Sequence, residues 1–227
     1  MKYSAPKLID CENAGSPESP TELFIVEGDS AARTLTRVRD STFQAILPMQ
    51  GKPMNATKAR LEDLQKNIQF AALIKALGVD LTAAMDRPSE LLKLRYQKII
   101  LLFDPDADGI HGRTLMLLFF YRWLRPLLDA GHIYDAHAPQ WEITGTGLNQ
   151  AVYAATPEYL KQVRSYLADQ GITKIITKRF RGLGSVDVGI LKSRCVDPET
   201  RTLTPLSAAY ADQAIAIFEQ MREFKRE

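Results

Sequence analysis

Apolar positions in this chain fall into short runs that end at glycine, proline or acidic turns, and the runs follow two different periods. Leu23 to Val26 is a four-residue apolar run with a β-branched half, and Glu27-Gly28-Asp29-Ser30 follows it at once. The pattern predicts strand, turn and helix, with Gly28 free to take a tight turn, Asp29 or Ser30 capping, and a helix from Ala31 to Arg39. Gln44 to Leu47 predicts a second strand closed by Pro48, and Gly51-Lys52-Pro53 is loop chemistry. From Thr57 the period becomes helical through Leu61, Leu64, Ile68, Ala72 and Leu73, with Gly78 as the stop. Ile99 to Phe103 is continuously apolar, as suits a strand buried on both faces of a parallel sheet. After Asp104-Pro105-Asp106-Ala107-Asp108-Gly109 a long apolar helix is predicted from Arg113 to Ala130, bent near Pro126 and stopped by Gly131.

Ile133 to Ala136 predicts a further strand. Beyond residue 138 the pattern weakens: 151–155 and 172–177 read as strands, 159–168 as a helix between them, 178–184 as a basic glycine-bearing loop, and 208–224 as an amphipathic helix. Alternating strands and helices point to an α/β fold with a mostly parallel sheet flanked by helices. Ligands of such sheets sit at the carboxyl ends of strands, where Glu27 and the three aspartates are both placed.

Composition narrows this little. The 227 residues carry a net charge of only +2, so nucleic-acid binding is not legible in the total and would have to come from local clusters. Two isolated cysteines, Cys11 and Cys195, offer no paired zinc motif and fit a reducing compartment. The most apolar stretch, Leu115 to Tyr121, is too short to span a bilayer. A soluble cytoplasmic protein is expected, with no membrane partner.

The chemistry concentrates in the acidic turn. Asp104, Asp106 and Asp108 are two apart, and on extended chain alternate side chains share one side. Carboxylates crowded in that way repel unless a cation neutralises them, and oxygen-only ligands favour Mg²⁺, with Mn²⁺ or Ca²⁺ as substitutes. Several readings fit the turn. An EF-hand loop would need Glu at the position of Leu115 and a preceding helix. A phosphohydrolase with a nucleophilic aspartate fits an α/β fold. A Walker-B aspartate lacks its glycine-rich partner loop. A solvated acidic turn needs no function at all.

The segment Glu22 to Ser30 resembles the first motif of the Toprim fold, and Tyr96 to Gly109 resembles its second. The similarity extends to the Toprim region of the B subunits of bacterial DNA gyrase and topoisomerase IV. Its carriers include Gln44 to Pro48, Gly51-Lys52, Asn55, Lys58-Ala59-Arg60, Arg113-Thr114-Leu115, Phe119 to Arg122, Arg181 to Gly184 and Asp197 to Arg201, in collinear order from about Lys7 to Phe218. The resemblance implies a Rossmann-like Toprim domain over 21–140, preceded by a linker over 1–20 and followed by a smaller α+β extension over 141–227. It implies Mg²⁺ held by Glu27, Asp104 and Asp106 with Asp108 as a nearer or alternate ligand. Glu27, Asp104 and Asp106 would be catalytic, with Glu27 also a general acid. The implied partners are double-stranded DNA and a gyrase A-like subunit carrying the attacking tyrosine. The family's ATP-binding domain has no counterpart in these 227 residues, so the chain is expected to be either a fragment of a longer subunit or a free-standing Toprim protein, the latter with a separate ATPase-domain chain as a further partner.

Candidate DNA-backbone contacts are Arg33, beside Arg37 on one helix face, Lys52, Lys58, Arg60, His111, Arg113, Lys178, Arg179 and Arg181. Arg113 stands out as a cation expected at a helix start beside the metal. The chain departs from the family at Ala32-Arg33, where members carry Gly-Gly, at Gln50 in place of lysine, at Ser185-Val186 in place of Glu-Met, and at Gln140-Trp141 in place of Leu-Tyr. Two other classes remain: a non-catalytic Toprim protein binding DNA or a gyrase A-like subunit as a regulator, and a stand-alone Toprim nuclease.

Overall fold

A computed structural model describes residues 5–86, 94–213, 215 and 216. The chain opens with β1 (Glu22–Glu27), α1 (Gly28–Thr36), β2 (Gln44–Met49) and the helices α2 (Leu61–Lys66), α3 (Ile68–Leu77) and α4 (Leu81–Asp86). Then come β3 (Lys98–Leu102), α5 (Ala107–Trp123), α6 (Arg125–Asp129) and β4 (Ile133–Ala136). These four strands form the parallel part of a five-stranded sheet, in the order β2, β1, β3, β4. The mixed α/β architecture with a mostly parallel sheet is the one the pattern predicts.

β1 and β3 are continuous apolar runs because both faces are covered. Leu23, Ile25, Ile99 and Leu101 face a layer that contains Phe70, Leu73, Phe119 and Phe120. Phe24, Val26, Ile100 and Leu102 face the opposite layer, with Leu35, Phe180, Leu183 and Leu191. Every residue of α5 from Leu115 to Phe120 is buried, so this stretch of the helix has no polar stripe. Phe70 of α3 stacks on Phe119 at 4.6 Å between ring centroids.

Several boundaries differ from those predicted. Helix α1 starts at Gly28, with φ +78°, and its N-cap is Glu27 rather than Asp29 or Ser30. Strand β2 runs through Pro48 to Met49, which is tolerated because β2 is an edge strand and the missing N–H breaks no inner ladder. The helix predicted from Thr57 is two helices broken at Asn67, whose side chain accepts from the N–H groups of Gln69 and Phe70. Gly78 closes the second in a left-handed conformation. Helix α5 begins six residues before Arg113, because Asp106 caps it, and breaks at Leu124 ahead of Pro126.

The rest of the chain forms β5 (Trp141–Gly145), β6 (Val152–Ala154), α7 (Pro157–Asp169), β7 (Ile175–Arg179), a 3₁₀ turn (Leu183–Ser185), α8 (Val188–Leu191) and β8 (Leu203–Pro205). A small antiparallel sheet, β6-β5-β7, packs Ile143 and Ala154 against Val163 and Leu167 of α7. Strand β5 escapes the hydrophobic pattern because Ile143 is its one fully buried residue. Lys178 and Arg179 lie on β7, not in a loop. β8 pairs antiparallel with β4, so the last strand of the main sheet comes from the stretch expected to form the extension. Arg201, just before it, makes a bidentate ion pair with Glu22 of β1, both side chains 3% exposed. Residues 208–213 are helical; the predicted helix beyond 216 lies outside the described residues.

The segment expected to be an N-terminal linker is docked where it is described. Ile9 bridges antiparallel to Ile46 on the outer edge of β2, and Asp10 accepts from the Tyr96 hydroxyl at 2.6 Å and from Arg95.

Candidate metal centre

β1 lies between β2 and β3, so the chain leaves it toward one neighbour and later crosses to the other. The connections part there and open a crevice at the carboxyl ends of β1 and β3. Glu27 ends β1 and is also the residue from which α1 springs. Because Val26 is in register with Leu102, Glu27 and the start of the acidic turn share one edge of the sheet.

Glu27 is half-buried, and its Oε2 is buried with no hydrogen-bond partner. Burial holds its carboxyl above the ordinary value, and the negative charges of Asp104, Asp106 and Asp108 add to the effect, with Lys52 opposing. The carboxyl of Asp104 is likewise held high by burial and by Asp106, against a stabilising hydrogen bond from the Leu183 N–H at 2.8 Å.

The three aspartates do not alternate along an extended chain, because the helix starts inside the motif. Asp104 precedes it, Asp106 is its N-cap and accepts from the Gly109 N–H at 2.9 Å, and Asp108 sits in its first turn. Asp108 meets Lys52 at 2.7 Å, which pulls its carboxyl below the usual range. Consequently, among the described residues no three acidic, histidine or cysteine side chains are already gathered as a metal-holding group. The residues still fit a hard divalent cation: the donors are all carboxylate oxygens, one of them is buried and unpaired, and Mg²⁺ needs only one or two protein carboxylates, keeping water for the rest.

Two segments from the far half of the chain hold the acidic turn, and the hydrophobic pattern gives no sign of either. Buried Gln140 donates to the carbonyl of Pro105 at 3.0 Å. The 3₁₀ turn brings Gly182 so close that a Cβ there would lie 2.5 Å from Oδ2 of Asp104. In the sequence this segment is marked by its basic, glycine-bearing composition and by the Arg181-Gly182-Leu183-Gly184 resemblance, neither of which points to Asp104.

The basic candidates divide. Lys52 and His111 lie in the field of Asp108. Arg181 is exposed and adjoins the Gly182 contact. Arg33 is exposed on α1 with a 3.4 Å contact to Ser30 Oγ, and Lys58 is exposed. Arg60 pairs with Asp63. Lys178 pairs with Glu142, and Arg179 lies over the Trp141 ring. Arg113, expected at a helix start, is instead in the second turn of α5 and turned inward to buried Asp135, beside a cavity of about 110 Å³ that also reaches Asp104 and His137.

A family model for the Toprim domain matches residues 22–140, more than half of the chain. The chain belongs to the Toprim family. Outside that span it is still similar to curated relatives. It is 37% identical over 215 residues to the DNA gyrase B protein of Thermus thermophilus, covering 95% of this chain and 33% of that protein. It is 39% identical to the DNA gyrase B protein of Halalkalibacterium halodurans, over 94% of this chain and 32% of the relative. For the DNA gyrase B protein of Staphylococcus aureus the identity is 38%, over 95% and 32%. The chain thus spans about a third of the length of the relatives it matches. The Toprim match begins at the first residue of β1 and ends at Gln140, the residue that braces the acidic turn. No helix among the described residues is long and apolar enough to cross a membrane.

Proposed function

We propose that this chain is the Mg²⁺-binding Toprim module of a gyrase B-like type IIA topoisomerase, acting on the DNA backbone with a tyrosine-bearing, gyrase A-like partner. The observation that carries the reading is the buried, unpaired Oε2 of Glu27, in the electrostatic field of Asp104, Asp106 and Asp108, at the switch point of the sheet. Glu27, Asp104 and Asp106 would hold the cation, with Asp108 reaching it on release from Lys52. When bound, the cation supplies charge stabilisation to the phosphoryl and leaving oxygens.

The protein's own groups divide the remaining work. Glu27, whose proton is held more tightly than an ordinary carboxyl's, would serve as general acid toward the leaving 3′ oxygen in the metal-free state of its carboxyl. Lys52, His111 and Arg181 border the acidic turn and would position phosphates, with Arg33, Lys58, Arg60, Lys178 and Arg179 as outer contacts. Arg113 acts from behind, neutralising Asp135 at the wall of the site. An ATPase-domain chain and a cytoplasmic setting complete the proposal.

The test mixes the chain with a gyrase A-type protein and supercoiled DNA. Mg²⁺-dependent covalent cleavage complexes, lost in Asp104→Asn, are the expected result. Binding of DNA or of that protein without cleavage would overturn the catalytic reading in favour of a regulator, and phosphodiester hydrolysis by the chain alone would point to a nuclease.

A further inference from the structure

The turn Arg181–Ser185 is built to touch one side chain. Ser185 Oγ accepts from the N–H groups of Arg181 and Gly182 and donates to the Gly182 carbonyl at 2.7 Å, which closes the turn on itself. The Leu183 side chain is fully buried and anchors the turn in the core. What the turn presents outward is the Leu183 N–H, bonded to Oδ1 of Asp104, and the bare Cα of Gly182, packed under Oδ2.

Gly182 is not required by its backbone. Its φ of 171° and ψ of 172° are extended values open to any residue. A methyl group there would meet Asp104 first and most closely: Oδ2 at 2.5 Å, Cγ at 3.1 Å and Oδ1 at 3.3 Å. The obstruction is the far end of a side chain, so the carboxylate would give way and the backbone would stay. Gly109 is the contrasting case, since its Cβ would strike the Asp104 backbone oxygen at 2.0 Å. Gly184, two residues on in the same turn, has open space around it.

We propose that Gly182 and Leu183 are positioning residues for the Asp104 carboxylate: the Leu183 N–H fixes Oδ1, the missing Cβ at 182 leaves room for Oδ2, and Oδ2 is thereby the oxygen offered to the cation. A turn from the carboxyl-terminal half of the chain thus sets the geometry of a ligand in the Toprim half, and divalent affinity depends on the two halves staying docked. This rests on Asp104 being a metal-holding residue, as proposed above.

The experiment is Mn²⁺ titration of the 227-residue chain, followed by electron paramagnetic resonance, with thermal melting of each variant without metal. Gly182→Ala should bind Mn²⁺ about tenfold or more weakly, the scale seen when a group that orients a ligand is disturbed, and should melt like wild type. Gly184→Ala should match wild type in both, and Asp104→Asn should lose binding. Wild-type affinity in Gly182→Ala beside lost binding in Asp104→Asn would overturn the positioning role and leave the metal site standing. Unfolding of Gly182→Ala, or equal losses in both glycine variants, would overturn it too, because the carboxylate would not be the part that yields. Wild-type binding in Asp104→Asn would remove the ligand assignment itself.

Discussion

Replacing Glu27 with glutamine should make the metal-free protein more stable while abolishing its response to Mg²⁺. The carboxylate keeps one oxygen buried without a partner, in the field of three aspartates. A buried polar group left unsatisfied costs about 1–3 kcal/mol, and more when charged. Glutamine would leave an atom unpaired there too and removes only the buried charge. Because Glu27 retains some solvent contact, about 1 kcal/mol is the gain we expect from Glu27→Gln, equivalent to roughly 2–4 °C in Tm for a chain of this size. The sign with pH follows from the direction of the shift. The folded protein holds the Glu27 proton more tightly than the unfolded chain does, so this group costs stability as pH rises through its folded-state pKa. The advantage of glutamine is therefore present at pH 7 and gone below the ordinary value of 4.5, where both states are protonated. Wild type should recover in Mg²⁺: at about ten times the dissociation constant, binding adds about 1.4 kcal/mol, which Glu27→Gln cannot gain. Differential scanning calorimetry in EDTA and in Mg²⁺, at pH 7 and pH 4, measures all of this. A variant that melts below wild type in EDTA at pH 7, or that keeps the Mg²⁺-induced rise, would refute the account of Glu27.

Other perturbations separate the parts of the site. Glu22→Gln strips the buried Arg201 guanidinium of its ion-pair partner and should cost about 3–5 kcal/mol in denaturant unfolding. Gly109→Ala drives a Cβ into the Asp104 backbone and should cost more than about 4 kcal/mol or prevent folding, as judged by circular dichroism. Lys52→Ala removes a cation from an exposed pair, so the melting temperature should hold while Mn²⁺ affinity rises, Asp108 being freed. Divalent affinity of wild type should fall on acidification sooner than ordinary carboxylates would predict, since Glu27 and Asp104 both take up protons early; calorimetric titration across pH 5 to 8 would show it.

What could be read in advance differs between the two halves of the chain. Up to residue 136 the strands of the main sheet were legible to within a residue or two: β1 and β3 are apolar runs buried on both faces and followed by turn residues, while β2 continues through Pro48 and β4 carries the buried Asp135. Helix starts were harder. Asp106 caps α5 through its own side chain, and nothing in Asp-x-Asp-x-Asp says which aspartate becomes the cap. That choice moved Arg113 off the helix start and Asp108 away from its neighbours. Beyond residue 140 the elements are short and half-exposed, so β5 and β8 carry too few buried positions to show a period.

The sequence by itself determined the parallel α/β sheet, the strand ends at Glu27 and Asp104, and the oxygen-only character of the donors, because these depend on local period and residue type. Only the tertiary structure decided which carboxylates are free. Asp108 is held by Lys52, Asp106 by its own helix and Asp104 by a turn 79 residues away, while Glu27 is left with an unpaired oxygen. Burial and hydrogen-bond partners are set by chain segments distant in sequence, and no local pattern encodes them.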